Sequence, residues 1–389
     1  MKKEKIVIIG AGSSGLSTAL EISRCKSKEV ILIEKNYAGS GQTGQCCGFV
    51  RNFYNAKEMI ISANYSMKRI KNICKKHKIF DMKKLGLIVL DSEKNDRAIK
   101  LNVELLKSLE VSARFLNDKQ IRKINPYINS QNSIAGYDED AFYVNPQLMT
   151  DYLKNECLKN NVRLLERTSV TGILQLGRGF SVKTNRGVFK CDKLLNATAG
   201  YTNSINKMLG LVLPIKTIRI NNAFYRLPLG PNKYLSAIAD FENCFYIIPH
   251  KDFIDVSSMV LDLKKVINPA KHKDTFDENV IDGYLEIISK RIKGAERSAK
   301  LGGFGSHIDV SSDYYPILSE INEMPNYYCA TGFSGTGFKH FPMIGKLMSE
   351  LILEKEFTFP DLVEFFRYDR FNSSNYREDV KDSYFVKDD

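Results

Sequence analysis

No apolar run in this chain approaches the length of a membrane span; the longest stop within a few residues. The opening MKKEK carries the charge of a leader's first segment. It feeds a strand and a glycine turn rather than an apolar stretch, so a cytoplasmic, unsecreted protein is expected. Paired CxxC spacing is missing too. Eight cysteines are scattered through 389 residues, and Cys46 and Cys47 are adjacent. No metal site is therefore expected, and the thiols are expected to stay reduced. There is no basic helix and no RNA- or DNA-binding motif, although the net charge is +12. That argues against a nucleic-acid partner. It leaves a lysine-rich solvated surface, or attraction of an acidic redox partner or an anionic substrate.

What is present is concentrated first in residues 5–35, KIVIIGAGSSGLSTALEISRCKSKEVILIEK. Residues 6–9 form an apolar run suited to a strand buried on both faces. GxGxxG follows at Gly10, Gly12 and Gly15, with Ser14 inside it. Leu16, Ala19, Leu20 and Ile22 then recur at helical spacing. A second apolar strand, residues 30–33, ends in Glu34 and Lys35. This is a βαβ dinucleotide fingerprint with its acidic residue at the expected distance. Gly10 permits the tight turn, Gly12 clears space for a pyrophosphate, and Gly15 allows close helix packing. The helix start offers free N–H groups and the positive end of its dipole to phosphate. Glu34 can accept hydrogen bonds from ribose hydroxyls. The motif alone leaves FAD and NAD both open.

The next loop, NYAGSGQTGQCCGFVRNFYN, is rich in glycine and small polar residues and runs into an apolar-aromatic segment containing Arg51. A guanidinium there is either a surface cation at a helix start or a fork aimed at a carboxylate. Helices are expected over residues 56–78, 96–109 and 118–125, and from near Pro146; strands are expected at 85–90, 162–165 and 169–174. Asn185-Arg186-Gly187 reads as a hairpin turn between 180–184 and 188–191. A strand enters Asn196-Ala-Thr-Ala-Gly200. From 214 to 263 the pattern alternates, as in an antiparallel sheet with one covered face. Residues 276–299 read as helix. A last strand, 327–330, leads into TGFSGTGFK and an amphipathic helix from Pro342. Gly332, Gly335 and Gly337 thus form a second glycine-rich turn, and two such turns suggest a ligand longer than a mononucleotide. The tail, 366–389, is charged and polar.

Six segments in this order resemble the D-amino-acid oxidase superfamily of FAD-dependent oxidoreductases: VIIGAGSSGLSTALEI, GSGQTGQCCGFVR, FYVNPQLMTDYL, LLNATAG, DYYPIL and YYCATGFSGTGFKHFPMIGKL. The resemblance is nearest the branch of sarcosine oxidase, glycine oxidase and dimethylglycine dehydrogenase, and it spans nearly the whole chain. It implies an α/β fold, α+β overall: a Rossmann-like FAD-binding domain with a discontinuous antiparallel-sheet substrate domain. The first would comprise 1–85, 140–213 and 303–365, and the second 86–139 and 214–302. FAD would lie on Gly10, Gly12, Ser14, Gly15, Glu34 and Lys35. Thr43 and Gly44 would lie near the pyrophosphate or flavin, Val170 near adenine, and Ala199 with Gly200 near the pyrophosphate. Gly332, Gly335, Thr336, Gly337, Phe338 and Lys339 would run along the flavin ring.

In sarcosine oxidase-like members an arginine at the Arg51 position and a lysine at the Lys339 position clamp the substrate carboxylate, and Tyr246 aligns with an active-site aromatic. The resemblance therefore implies oxidation of the C–N bond of a small amino acid or secondary amine. Electrons would pass to a quinone, a carrier protein or oxygen. The departures bear on mechanism. Ser306 stands near the slot of the flavin-bonding cysteine, so noncovalent FAD is expected; Cys329 lies in a different strand. Ser257 stands where the oxygen-activating lysine falls, which favours a dehydrogenase. GFGSHID lacks the arginine of glycine and D-amino-acid oxidases, although His307 lies close. Gln45 and Thr336 replace a family arginine and histidine. His307, His250 and His340 are candidate acid/base groups, each read first as structural. Two alternatives are a 2-hydroxy-acid dehydrogenase, which usually has histidine at the Arg51 position, and a catalytically silent FAD-binding subunit.

Overall fold

The structure, a computed structural model, describes residues 3–78, 82–229, 235–271 and 278–372. Its centre is a six-stranded sheet. The strand Glu4–Ile9 pairs in parallel with Lys28–Ile33 on one side and Lys193–Asn196 on the other. Beyond these lie Arg163–Leu165 and Met324–Thr331, also parallel, and Ile317–Ile321 closes one edge antiparallel. Apolar side chains fill both faces of the central strand, where Ile6, Val7 and Ile8 have no exposed surface.

The first helix, Ser13–Ser23, packs on the long helix Gly337–Ile352 at very close range. A Cβ at Gly345 would sit 2.2 Å from Ser17 Oγ. Phe341, Ile344, Leu347 and Met348 of the long helix join the largest apolar core, which explains its depth. This helix starts at Gly337, before the expected Pro342. Proline lacks an N–H for the preceding turn, yet burial on both sides carries the helix through it.

The second layer is an eight-stranded sheet. Its order runs Ala299–Ser311, Ile215–Arg226, Ile254–Ser258, Phe245–Pro249, Ala237–Asp240, Leu87–Ser92, Ser133–Asp138 and Ala113–Leu116. It is mixed rather than purely antiparallel, because Ala237–Asp240 meets Leu87–Ser92 in parallel. Those strands come from distant chain segments, so no hairpin forces them to oppose. The strand Ala299–Ser311 crosses the expected boundary at 302/303. Twelve residues of Ile215–Arg226 pair along it. The helix expected over 276–299 is Glu278–Arg291, within the described residues. Gly294, at φ +82°, ends the turn that follows, and Ala299 is already sheet.

The hairpin Gly179–Thr184 with Gly187–Cys191 turns through Asn185-Arg186. Of the expected polar tail, residues 373–389 lie outside the described residues. Phe366 is core rather than tail: it is 1% exposed, and its carbonyl accepts from Leu318 N at 2.9 Å. Among the described residues no helix is long and apolar enough to cross a membrane.

Candidate active site

Both glycine turns open onto one cavity of about 590 Å³ between the two large sheets. At the first turn Gly10 has φ +102°, and a Cβ there would lie 2.5 Å from Ala197 O. Only glycine fits that approach. A Cβ at Gly15 would lie 1.9 Å from Gly10 O, so this glycine fits the helix to the turn itself. The helix Ser13–Ser23 carries no side-chain cap. Thr43 Oγ1 accepts from Ser13 N at 3.0 Å, and the neighbouring N–H groups of the first turn face the cavity end lined by Gly12 and Ser14. Glu34 accepts from Ala11 N and Asn36 N, each at 2.9 Å. Two backbone donors thus fix its carboxylate at the cavity rim. Lys35 Nζ stands 3.5 Å over the Tyr201 ring.

The second turn hangs on a residue that the sequence reading passed over. Asp309 Oδ2 accepts from Gly332 N at 2.6 Å, Phe333 N at 3.2 Å and Thr331 Oγ1 at 3.2 Å. Its backbone carbonyl accepts from Ser334 N at 2.8 Å. Burial pushes its carboxyl up to about 6, against the lowering effect of those donors. Gly332 and Gly335 take φ of +68° and +80°. Thr336 Oγ1 bonds Phe333 O at 2.7 Å, closing the turn into the long helix.

Arg51 is buried, and aromatic groups surround it. Its guanidinium donates to Phe53 O, and to Tyr246 Oη at 3.2 Å. It lies 4.1 Å over the Tyr54 ring. Tyr54 Oη is held by His340 Nε2 at 3.0 Å, whose Nδ1 meets Ser62 Oγ at 2.7 Å. Burial, then the charges of Lys339 and Arg51, drive His340 well below the ordinary histidine value. It is a neutral positioning residue. The segment is anchored further by Asp138, which accepts from Asn52 N at 2.5 Å. No carboxylate is within ion-pair distance of Arg51 among the described residues. Lys339, half-buried in the first turn of the helix Gly337–Ile352, lines the same cavity, and its Nζ donates to Gly335 O at 3.4 Å. Burial and the neighbouring Arg51 charge lower its ammonium. Two cations therefore face one space, and among the described residues neither has an ion-pair partner.

Of the expected residues, Gly10, Gly12, Ser14, Glu34, Lys35, Thr43, Val170, Ala199, Gly200, Gly335, Thr336, Gly337, Phe338 and Lys339 line this cavity, as do Arg51, Tyr246 and His307. Gly15 and Gly332 sit behind it in the turns, and Gly44 lines a smaller neighbouring cavity. His307 stands apart from the two cations. A Cβ at Gly200 would touch its Cδ2 at 2.8 Å, and its ring meets Tyr201 edge-on at 6.0 Å. That is the end marked by Lys35.

Gln42, Cys46, Cys47, Asn222, Ser257 and Ser306 line the cavity as well. Ser306 Oγ donates to Gln45 Oε1 at 2.6 Å. Burial raises both the Cys46 and Cys47 thiols, which keeps them protonated. None of the eight cysteines forms a disulfide, and Cys329 is buried in its strand away from the cavity. Among the described residues no group of three or more His, Cys, Asp or Glu is placed to hold a metal.

A dinucleotide fits this arrangement on structural grounds. Gly10, Gly12 and Gly200 line the cavity, the first helix has no side-chain cap, and Gln42 Nε2 is buried with no partner among the described residues. A phosphate or ring carbonyl oxygen would satisfy that donor.

The sarcosine oxidase beta subunit of Rhodobacter capsulatus is 23% identical over 90% of this chain and 85% of its own length. Mouse (Mus musculus) mitochondrial dimethylglycine dehydrogenase is 22% identical over 97% of this chain, which spans only 45% of that protein. Among solved structures, L-proline dehydrogenase from P. horikoshii superposes with a TM-score of 0.87 at 24% identity, covering 97% of this chain and 100% of that one. The family model described as DAO, FAD dependent oxidoreductase, matches residues 5–351. With that match spanning both glycine turns, the chain belongs to the DAO family of FAD-dependent oxidoreductases.

Proposed function

We propose that this flavoenzyme oxidises the C–N bond of a small carboxylate-bearing amine, of the sarcosine, glycine or proline type, to an imine. The observation that carries the reading is the couple Arg51 and Lys339, without an ion-pair partner among the described residues and facing the cavity that both glycine turns share. Two desolvated cations need an anion, and a substrate carboxylate supplies it. The relatives' named activities support the amine class.

The residues that would hold FAD are those of the two turns with Glu34, Lys35, Thr43, Val170, Ala199 and Gly200. When bound, FAD supplies the acceptor for the two electrons that leave the carbon with its hydrogen. The chain's own part is positioning. Arg51, fixed by Tyr54, Phe53 O and Tyr246, orients the carboxylate, and Lys339 takes its other side. The same positive field favours loss of the amine proton, leaving the nitrogen lone pair free for the imine. Water then hydrolyses the imine to a carbonyl compound and an amine. His307 is assigned no proton transfer, because it stands by Gly200 and Tyr201.

We further propose a dehydrogenase, since Ser257 offers no cation for oxygen chemistry, with a quinone or a carrier protein as acceptor; peroxide release under air would overturn this in favour of an oxidase. FAD is held noncovalently, because a hydroxyl at Ser306 cannot form a thioether. The fold is read as an FAD-binding part carried by the six-stranded sheet and a substrate-binding part carried by the eight-stranded sheet. Free thiols support a cytoplasmic location.

The test is anaerobic titration of the yellow protein. Sarcosine or proline should bleach the flavin, while lactate and 2-hydroxyglutarate should not. Bleaching by the hydroxy acids alone would overturn the amine reading. A flavin that none of them reduces would mark a silent subunit.

A further inference from the structure

Beside the first cavity lies a second, of about 330 Å³. Gln45, Cys46 and Cys47 line both and form the wall between them. The other walls are aromatic. Phe224 lies 5.3 Å from Phe253 and 5.7 Å from Phe304, His250 stacks on Phe253 at 4.4 Å, and Tyr143 meets His250 edge-on at 5.0 Å. These rings are only half-buried.

Among them stands one acid, Asp255, which is 5% exposed. It pairs across the sheet with Phe224, so both side chains project from the same face. Its Oδ1 accepts from the neutral amide Asn222 Nδ2 at 2.8 Å, and its other oxygen takes no hydrogen bond among the described residues. No ion pair reaches it there. His250, the one base on the wall, is lowered to about 4 by burial and then by Lys83, so it is neutral. Burial without a counter-ion pushes the Asp255 carboxyl up to about 7.

A buried acid with no cation, ringed by aromatic faces, lacks one component. An anion would be repelled, and a neutral aromatic ligand would leave the carboxyl unpaired. A hard metal needs several oxygen ligands, and only one carboxylate is offered. An organic cation satisfies both the carboxylate and the ring faces. We propose that the second cavity binds an alkylated ammonium group, held by Asp255 and the rings of Phe224, Phe253 and Phe304. This is independent of which amine the first cavity takes.

The probe is choline, compared with its neutral isostere 3,3-dimethylbutan-1-ol by calorimetric titration of the FAD-loaded protein. Choline should bind at least about tenfold more tightly than the alcohol. Asp255→Asn, close to isosteric, should abolish that preference while FAD content and melting temperature are retained. Phe253→Leu should weaken choline about threefold. Equal binding of choline and the alcohol, absence of choline binding, or an intact preference in D255N would each overturn the proposal. Competition between choline and the flavin-reducing amine assigns the site to the far end of a substrate; noncompetitive binding assigns it to a separate effector. Either result stands on the tenfold preference.

Discussion

Arg291 and Arg51 are equally buried, each 6% exposed, but their surroundings differ in kind. Arg291 sits in the eight-stranded sheet region with its charge answered twice. Asp240 takes its Nε at 2.5 Å, Glu242 takes Nη2 at 2.8 Å, and Asn129 O and Ser133 Oγ take Nη1, each at 3.0 Å. Arg51 meets a carbonyl, a phenol and the face of a tyrosine. The first guanidinium completes a structural knot that ties the helix Glu278–Arg291 to the sheet. The second is built to stay open. Burial alone therefore says little about role; the missing partner says much more.

The sharpest way to break this comparison is to delete both cations in turn. Arg291→Met should cost about 3–5 kcal/mol of stability, because Asp240 is left buried and uncompensated. Urea denaturation measures it. Arg51→Met should cost far less stability. Instead it should raise the substrate constant for flavin bleaching by about 100-fold, worth about 2.7 kcal/mol, with FAD still bound. If Arg51→Met unfolds the protein as readily as Arg291→Met, the distinction fails.

Lys339 sharpens the same contrast. Lys339→Met should weaken substrate binding about tenfold. The ammonium is lowered by burial and by Arg51, so its charge is lost as pH rises through a value below the ordinary lysine 10.5. Carboxylate binding should therefore weaken with rising pH earlier than an ordinary lysine would allow. In Lys339→Arg the profile should be flat over that range; an unchanged profile would remove Lys339 from the clamp.

The smallest effect concerns Asp309, a buried anion matched only by neutral donors. Its folded value of about 6 lies above the ordinary 3.8, so the fold favours the protonated form. The stability this provides is full below the unfolded value and is lost as pH rises through about 6. Relative to Asp309→Asn, the melting temperature of the wild-type protein should fall by about 2–4 °C between pH 4 and pH 7. A constant difference across that range would contradict it.

Local chemistry made the first turn legible. The spacing of Gly10, Gly12 and Gly15, two apolar strands and Glu34 are all short-range signals. The second turn at Gly332 to Gly337 was legible for the same reason, as was Arg51, through the family resemblance. The rest depends on contacts between distant segments. Nothing around Asp309 in the sequence says that it will hold the turn more than twenty residues later. The strand Ala299–Ser311, expected as the end of a helix and the start of another part, is made by its pairing with the distant Ile215–Arg226. His340 read first as structural, but nothing near it in the sequence names the groups that hold it, Tyr54 and Ser62, which are nearly 300 residues away. The Asp255 cavity was invisible, because alternation in DVSSMVL shows a strand but not what faces it.

The order of strands in the parallel sheet sets a timetable for the newborn chain. Glu4–Ile9 is made first, yet one of its two neighbours is Lys193–Asn196, and beyond that comes Met324–Thr331. A ribosome that has translated half the message has released the glycine fingerprint without the floor and far wall of its nucleotide bed. Flavin capture is thus a late, whole-chain event, and a truncated product would carry the signature of a flavoprotein without its colour.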